Sequence, residues 1–474
     1  MKRLKLLVEN MLVYGLSYAI AGAIPYIMLP VITYLMPNSD YVGIYDVATS
    51  LMSLLSTCAI FGMYDAMFRL FFDDEDEAYK KKVCTSAITF VLVSAALVWA
   101  VVFLCAKPIA VRFLGGAEYD HVIRLVSVNI FFVAVNALIA APTRMQNKKI
   151  LVLIINAIIP VVSYTFAYAL LCKGYYTTGM IIGNLISVCV SVLIYFFFNH
   201  SWFQKKYFDL KIVKDLLKIA LPVVPVVLIY WIFNTLDRII ISQLLGNAQT
   251  GIYGVGAKIA QLSQLLYLAF SGGWQYFAFS TMKDQDQVEM ITRVFELLEG
   301  IAFIFGILFI SCFAWPYRML FAEEYWQGIY VVPYLFMAPL LLMLYQIASS
   351  QLMIVKKNYY STICLAMGAV TNIILDIVLV KLIGIEGAAI ATLCGYLLSI
   401  AACLFVLAKF KLIHLHARMG ITLMIMLGYL LYYRLSGNQN LFAMIMIALL
   451  LSGIIIMLYM VEIRALLKKN KQGV

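Results

Sequence analysis

The sequence predicts an all-α integral membrane protein of about fourteen transmembrane helices, and three observations lead there. Of its 474 residues, 64% are apolar and only 12% charged, with a mean hydropathy of +0.95; a soluble domain is roughly half apolar and a quarter charged. The apolar residues run continuously for about 20 positions at a time, the length of a helix that crosses hydrocarbon, whereas barrel strands need about ten. Finally, the first twelve of these runs fall into two halves that repeat one another.

The first half comprises segments near 9–36, 44–70, 83–106, 119–145, 150–172 and 179–198, and the second those near 213–245, 252–282, 291–314, 327–354, 359–382 and 387–408. Two more, near 417–435 and 441–462, follow. Only helices and closed barrels satisfy every backbone group in lipid, and runs this long exclude barrel strands. The opening MKRLKLL leads into a full-length span without a small-residue cleavage site, so the first segment is expected to remain.

The net charge of +11 is a topological signal rather than a nucleic-acid footprint. With both ends cytoplasmic, only Lys107, Arg112, Arg124, Lys173, Arg318, Lys381 and Arg434 fall outside, and Arg238 and Lys258 lie within spans. All other cations collect on the inner side, as the positive-inside rule requires. The acidic run at 73–77 before Lys80, Lys81 and Lys82 reads as a solvated inner loop.

The repeat is visible as GIYDV at 43–47 and GIYGV at 251–255, an offset of 208 residues. The same ungapped offset carries Lys148 and Lys149 onto Lys356 and Lys357, Lys173 onto Lys381, Gly179 onto Gly387 and Ser191 onto Ser399. Six helices per copy keep one orientation, so two parallel lobes are expected, 1–210 and 211–410, related by an axis along the membrane normal, with 411–474 an added helix pair and tail. Cargo is expected near the midplane between such lobes. Pro25 and Pro30, and Pro222 and Pro225, sit in corresponding first helices, where each removes a backbone bond and permits bending, although membrane helices also tolerate proline.

Several function classes are excluded or disfavoured. No Gly-Lys dipeptide occurs, so no Walker-type phosphate loop exists. A membrane glycosyltransferase or polymerase would need acid and base carboxylates beside a saccharide on the outer face; Glu118, Glu323 and Glu324, on the longest outer connections, read as ordinary surface groups, and no enzyme is expected. The nine cysteines are scattered singly without metal-ligand spacing, and His414 and His416 read as a polar pair at headgroup level.

The intramembrane charges remain. Asp237 and Arg238 lie about 10–12 Å inside the outer end of the seventh segment, and Lys258 is about as deep in the eighth. Consecutive residues point about 100° apart, so Asp237 and Arg238 are expected to face different surroundings. Asn372 and Asp376, one turn apart, and Thr392 in the next segment share a similar depth. Carboxylate, amide and hydroxyl oxygens at one level suit a hard cation such as Na⁺, and equally serve as polar glue between helices.

Fourteen helices in two parallel lobes, L-D-R-I-I-I at 236–241, N-x-x-x-G-I-Y-G-V at 247–255 and G-I-E-G-A-A-I-A-T at 384–392 resemble the bacterial polysaccharide flippases of the multidrug/oligosaccharidyl-lipid/polysaccharide exporter superfamily. The resemblance implies alternating-access movement of an undecaprenyl-linked oligosaccharide across the bacterial cytoplasmic membrane for capsule, exopolysaccharide, O-antigen or teichoic-type polymers. No cofactor is implied beyond a coupling Na⁺ or H⁺. It also implies a Na⁺ site of Asp237, Asn372, Asp376 and Thr392, with Ala388 matching a backbone-carbonyl ligand. Membrane lipids, a polymerase and glycosyltransferases are the expected partners.

The related lipid II flippases carry arginines in helix 1, whereas residues 12–36 here carry no charge, which disfavours a peptidoglycan precursor. A lipid-borne phosphate needs a cation to cross hydrocarbon. Arg238 and Lys258 are the candidates, with Arg69 and Arg144 at the cytoplasmic ends placed to receive the headgroup first. Gln261, Gln264, Trp274, Gln275 and Tyr276 could meet sugar hydroxyls and faces, or simply pack. A multidrug/cation antiporter of the same superfamily is the alternative; its cleft would be acidic.

Overall fold

The computed structural model describes residues 22–282, 285–436 and 441–460, without the side chains of 269, 272, 273, 275, 276, 279 and 280. It is all-helical in its regular elements, and among the described residues 12 helices are long and apolar enough to cross a membrane. These are the second to seventh and ninth to fourteenth expected segments. The first is described from Gly22, as α1 (Gly22–Leu35), so Glu9 and the N-terminal cations lie outside the described residues. The chain divides into two compact units, Met1–Gly254 and Val255–Val474, a division by contact that falls later than the lobe boundary expected from the 208-residue repeat.

In the first unit α2 (Ser39–Ile60) and α3 (Met63–Phe71) replace the single expected second segment. Between them Phe61 and Gly62 are left-handed (φ 52° and 70°). A Cβ on Gly62 would also stand 2.8 Å from the Ala220 carbonyl oxygen, so glycine is needed here for both conformation and space. Helix α4 (Glu77–Leu104) starts earlier than hydropathy predicts because the acidic run supplies its cap: the Asp76 carboxylate accepts from the Ala78 and Tyr79 amides. Glu75 and Glu77 take Lys80 and Lys81 at 2.8 and 2.7 Å.

After α5 (Ala106–Phe113) come α6 (Asp120–Met145), α7 (Lys149–Leu171) and α8 (Gly179–Asn199). On α4, Ala87, Val91 and Ala95 are buried while Val93, Leu97, Val101 and Leu104 are exposed. Both faces are apolar, one turned to protein and one to lipid, so hydropathy locates the helix but cannot orient it.

The seventh segment is not one helix. Helix α9 (Leu210–Trp231), capped by Asp209, passes through a π-helical turn at Ile232–Leu236 into α10 (Asp237–Leu245). Pro222 and Pro225 lie inside α9. Proline and π-turns are recognised causes of helix bending.

The eighth segment is likewise two helices, α11 (Asn247–Ala260) and α12 (Ser263–Ser280). At Gln261 and Leu262 the backbone tightens: the Leu262 amide donates to Ile259 and that of Gln264 to Gln261. Neither glycine nor proline marks that break.

The second unit is built from α12, α13 (Gln287–Cys312), α14 (Ala314–Leu320), α15 (Val332–Ile354), α16 (Asn358–Ile383), α17 (Ile385–Lys409), α18 (Ala417–Ser436) and α19 (Leu441–Leu458). Helix α15 is its most buried span. The added pair is fixed electrostatically: the buried Glu296 carboxylate on α13 receives both Nε and Nη2 of Arg418, with His416 Nδ1 at 2.7 Å. Removing one partner of a buried pair strands the other charge. Glu296→Ala is therefore expected to cost about 3 kcal/mol, read as a lower unfolding temperature in detergent, with part of the loss recovered in the double variant carrying Arg418→Ala.

Candidate functional site

The first copy of the repeated motif and residues 251–254 of the second lie in the first unit, where they pack on each other. A Cβ on Gly43 would collide with the backbone of Asn247, one on Gly251 with that of Ser39, and one on Gly254 with the Asp46 carboxylate. Under the 208-residue offset these contacts exchange: 43 becomes 251, 39 becomes 247, and 46 becomes 254. The starts of α2 and α11 thus cross as a local pseudo-symmetric pair, held close because glycine lets the backbones approach.

Asp46 is buried at that crossing. It occupies the position where the two copies differ, Asp in one and Gly in the other. Sequence reasoning missed Asp46, and this difference between the copies is the signal that could have found it.

Next to the crossing sit Asp237 and Arg238. Asp237 is 4% exposed; it accepts from the Tyr253 hydroxyl and from the Arg238 amide at 2.9 Å. Arg238 Nη1 lies 4.0 Å from Asp237 Oδ1 and donates to the Asn234 carbonyl at 2.6 Å. Asp46 is a further electrostatic neighbour of Arg238.

The expectation that the two side chains face apart is therefore corrected. The reason is local. Beside the π-turn the Arg238 amide meets the Asp237 carboxylate, and the Asn234 carbonyl, one turn back, receives the guanidinium. Tyr253, a motif residue not singled out from sequence, completes the cluster.

The first unit also contains a cavity of about 700 Å³ at one helix end and another of about 500 Å³ around Arg144. The latter draws on five elements: Ile60 from α2, Tyr64 from α3, Asn136, Ala137, Ala140 and Arg144 from α6, Ile155, Asn156, Ile159 and Pro160 from α7, and Ser191 and Tyr195 from α8. Residues 136, 140 and 144 form one row of α6, so the polar lining runs about 12 Å along that helix. Arg144 donates to the Tyr64 hydroxyl at 3.4 Å, and the Ser191 hydroxyl donates to Asn136 Oδ1 at 2.9 Å. With its oxygen so occupied, Asn136 has its amide donors left to offer.

One guanidinium, two amides, hydroxyls and aromatic rings can bind an anion and a saccharide together. Sequence reasoning named Arg144 alone. Asn136, two turns away on the same row, was the legible clue.

The remaining candidates separate. Arg69, at the end of α3, is exposed and 3.7 Å from Asp73. Lys258 is half-buried in the second unit and has a partner of its own. Gln261 is exposed and Gln264 half-buried beside the α11–α12 break. Trp274 is buried and stacks on Phe270 with ring centroids 5.3 Å apart, a packing position. The side chains of Gln275 and Tyr276 lie outside the described residues.

In the second unit Asn372, Asp376, Ala388 and Thr392 are all buried where α16 and α17 pack, and Asn372 Nδ2 donates to Thr392 Oγ1 at 3.3 Å. This is an oxygen-rich donor set of the kind a hard cation takes. Asp237 belongs to the first unit and has the partners described above. Among the described residues no three His, Cys, Asp or Glu side chains gather to hold a metal ion. His416 is engaged by Glu296.

Solved structures share this fold. The chain is similar to the lipid II flippase MurJ in an inward closed conformation, with 17% identity and a TM-score of 0.67 over 92% of this chain and 100% of that one. It is also similar to an inward-facing multidrug resistance MATE family transporter of the MOP superfamily, with 15% identity and a TM-score of 0.61 over 84% and 94%. A third similar structure is the Vibrio cholerae MATE transporter VcmN in its bent form, with 13% identity and a TM-score of 0.55 over 86% and 98%. At these identities the likeness establishes the fold. Curated protein sequences give no significant match. The family model for polysaccharide biosynthesis proteins matches residues 7–275, more than half of the sequence, and the chain belongs to that family.

Proposed function

We propose that the protein moves a lipid-linked oligosaccharide, carried on an undecaprenyl phosphate or diphosphate, across the bacterial cytoplasmic membrane, and that the Arg144 cavity receives its headgroup. The observation that carries this reading is the cavity itself. In a chain of the polysaccharide biosynthesis family, it joins a cation at the interfacial end of α6 to amides and hydroxyls deeper in the bilayer, matching a phosphate followed by a sugar. With both termini cytoplasmic, Arg144, Lys148 and Lys149 lie on the side where such a lipid is made. Glycosyltransferases would supply the cargo and a polymerase would consume it.

Residues 22–35 carry no charge, which supports a capsule, exopolysaccharide, O-antigen or teichoic-type unit over a peptidoglycan precursor. Arg238 keeps its guanidinium on Asn234 and Asp237. That geometry supports a charge pair beside the π-turn, with headgroup capture left to Arg144.

The test is reconstitution. Vesicles containing the purified protein should expose a fluorescent lipid-linked oligosaccharide to a membrane-impermeant reagent, and empty vesicles should not. Transport of an organic cation without movement of the saccharide lipid would establish the multidrug alternative instead.

For coupling, we propose that Asn372, Asp376, Thr392 and the Ala388 carbonyl hold Na⁺, which would supply the ion gradient's energy to transport. A ligand that binds only the folded state raises the unfolding temperature. NaCl, compared with KCl at equal concentration, is therefore expected to stabilise the purified wild-type protein by a few degrees and to have no such effect on Asp376→Asn. Equal stabilisation of both proteins would remove the coupling proposal while leaving the cargo reading intact.

A further inference from the structure

The cavity of about 700 Å³ in the first unit lies at the opposite helix ends from Arg144, on the side assigned to the exterior. One wall is α5, which presents Lys107, Pro108, Val111 and Arg112, with Gly115 just past its end. The other is the turn from α10 to α11, with Ser242, Gln243, Gly246 and Asn247. Positions 107 and 111 form one helical row and 108 and 112 the next, so both cations belong to the face that lines the cavity.

The walls are tied together. The Asn247 amide donates to the Leu114 carbonyl at 2.9 Å, and the Ser242 hydroxyl bonds Asn247 Oδ1 at 2.8 Å and reaches the Phe113 carbonyl at 3.3 Å. No carboxylate lines the space. Arg124, by contrast, is held by Asp120 at 3.0 Å, whereas Lys107 and Arg112 have no carboxylate partner among the described residues; Arg112 only lies over the Phe113 ring, 5.9 Å from its centroid. Ser242 is one turn beyond Arg238 on the same row of α10, about 6 Å along the helix.

We propose that this cleft is an external binding site for a diphosphate group, with Lys107 and Arg112 as its cations and Gln243 as an amide donor, where the anionic headgroup of the cargo rests before it leaves. Preformed walls and unneutralised cations are what an anion site requires. The assignment of the diphosphate to outgoing cargo rests on the function proposed above. The same chemistry would also accept free inorganic diphosphate.

The experiment uses the full-length protein in nanodiscs of zwitterionic phosphatidylcholine, with farnesyl diphosphate and inorganic diphosphate as separate probes. The double variant Lys107→Ala, Arg112→Ala, which removes both cations, should bind farnesyl diphosphate roughly 30-fold more weakly or worse. Lys107→Arg with Arg112→Lys should restore binding. The same loss should appear in an Arg144→Ala background, where the inner cation is gone.

Parallel loss of inorganic diphosphate binding would mean that the site reads the phosphates alone; loss confined to farnesyl diphosphate would mean that the prenyl chain contributes. Unchanged binding in the double variant overturns the external site. If Arg144→Ala still weakens binding in that case, the proposed function stands without it. If wild type binds neither probe, both fall.

Discussion

Arg144→Ala is expected to lower transport of a lipid-linked oligosaccharide by roughly 30- to 150-fold, the equivalent of losing a charge-assisted contact of about 2–3 kcal/mol. The phosphate it would receive must otherwise shed water without a counter-charge, which hydrocarbon penalises heavily. The protein should still fold. Arg144 is only partly buried at the last turn of α6, where it lines a cavity and bonds the Tyr64 hydroxyl at 3.4 Å, so its removal enlarges a space that water can fill. Arg144→Lys should retain an intermediate rate, because an ammonium supplies the charge but not the fork. Folded Arg144→Ala protein that transports at the wild-type rate would remove the cavity from the mechanism.

Gly251→Leu is expected to prevent accumulation of folded protein in the membrane. A side chain at Gly251 points into the Ser39 carbonyl and the Gly43 amide on α2, so α2 and α11 must separate. Separation would also open the neighbouring cluster of Asp46, Asp237, Arg238 and Tyr253, leaving buried charges short of partners. Overpacking alone costs about 1–3 kcal/mol, a large share of a marginal stability. By the 208-residue exchange, Gly43→Leu should behave alike, since its side chain meets the backbone of Asn247. Gly428→Leu is the control, because nothing stands within 4 Å of its Cβ position. Membrane yield and a monodisperse chromatographic profile in detergent read the result; normal yield of Gly251→Leu would show that the crossing is looser than drawn.

Hydropathy made the spans legible because lipid selects apolar length directly, and every described span coincides with an expected segment. What hydropathy could not register were the breaks. Phe61–Gly62, Gln261–Leu262 and the π-turn at Ile232–Leu236 change backbone geometry without changing apolarity. The last of these immediately precedes Asp237 and Arg238, whose side chains lie closer together than a 100° spacing suggests.

The acidic run read as solvated loop contains the α4 cap, since Asp76 sits one residue before the first helical position. The Arg144 cavity was only half legible. A cation near a span end stands out in sequence, but Asn136, Asn156 and Ser191 resemble ordinary intramembrane polar residues until three helices bring them together.

The central claim, that a cation in the first unit selects a phosphate-bearing lipid, is tested most directly by competing two cargoes in one reconstituted system. A prenyl-diphosphate-linked oligosaccharide and a prenyl-linked oligosaccharide without phosphate would be offered to wild type and Arg144→Ala in vesicles. Wild type should strongly prefer the diphosphate-linked cargo, and Arg144→Ala should lose most of that preference. Equal transport of the two cargoes by wild type, or an undiminished preference in the variant, would contradict it.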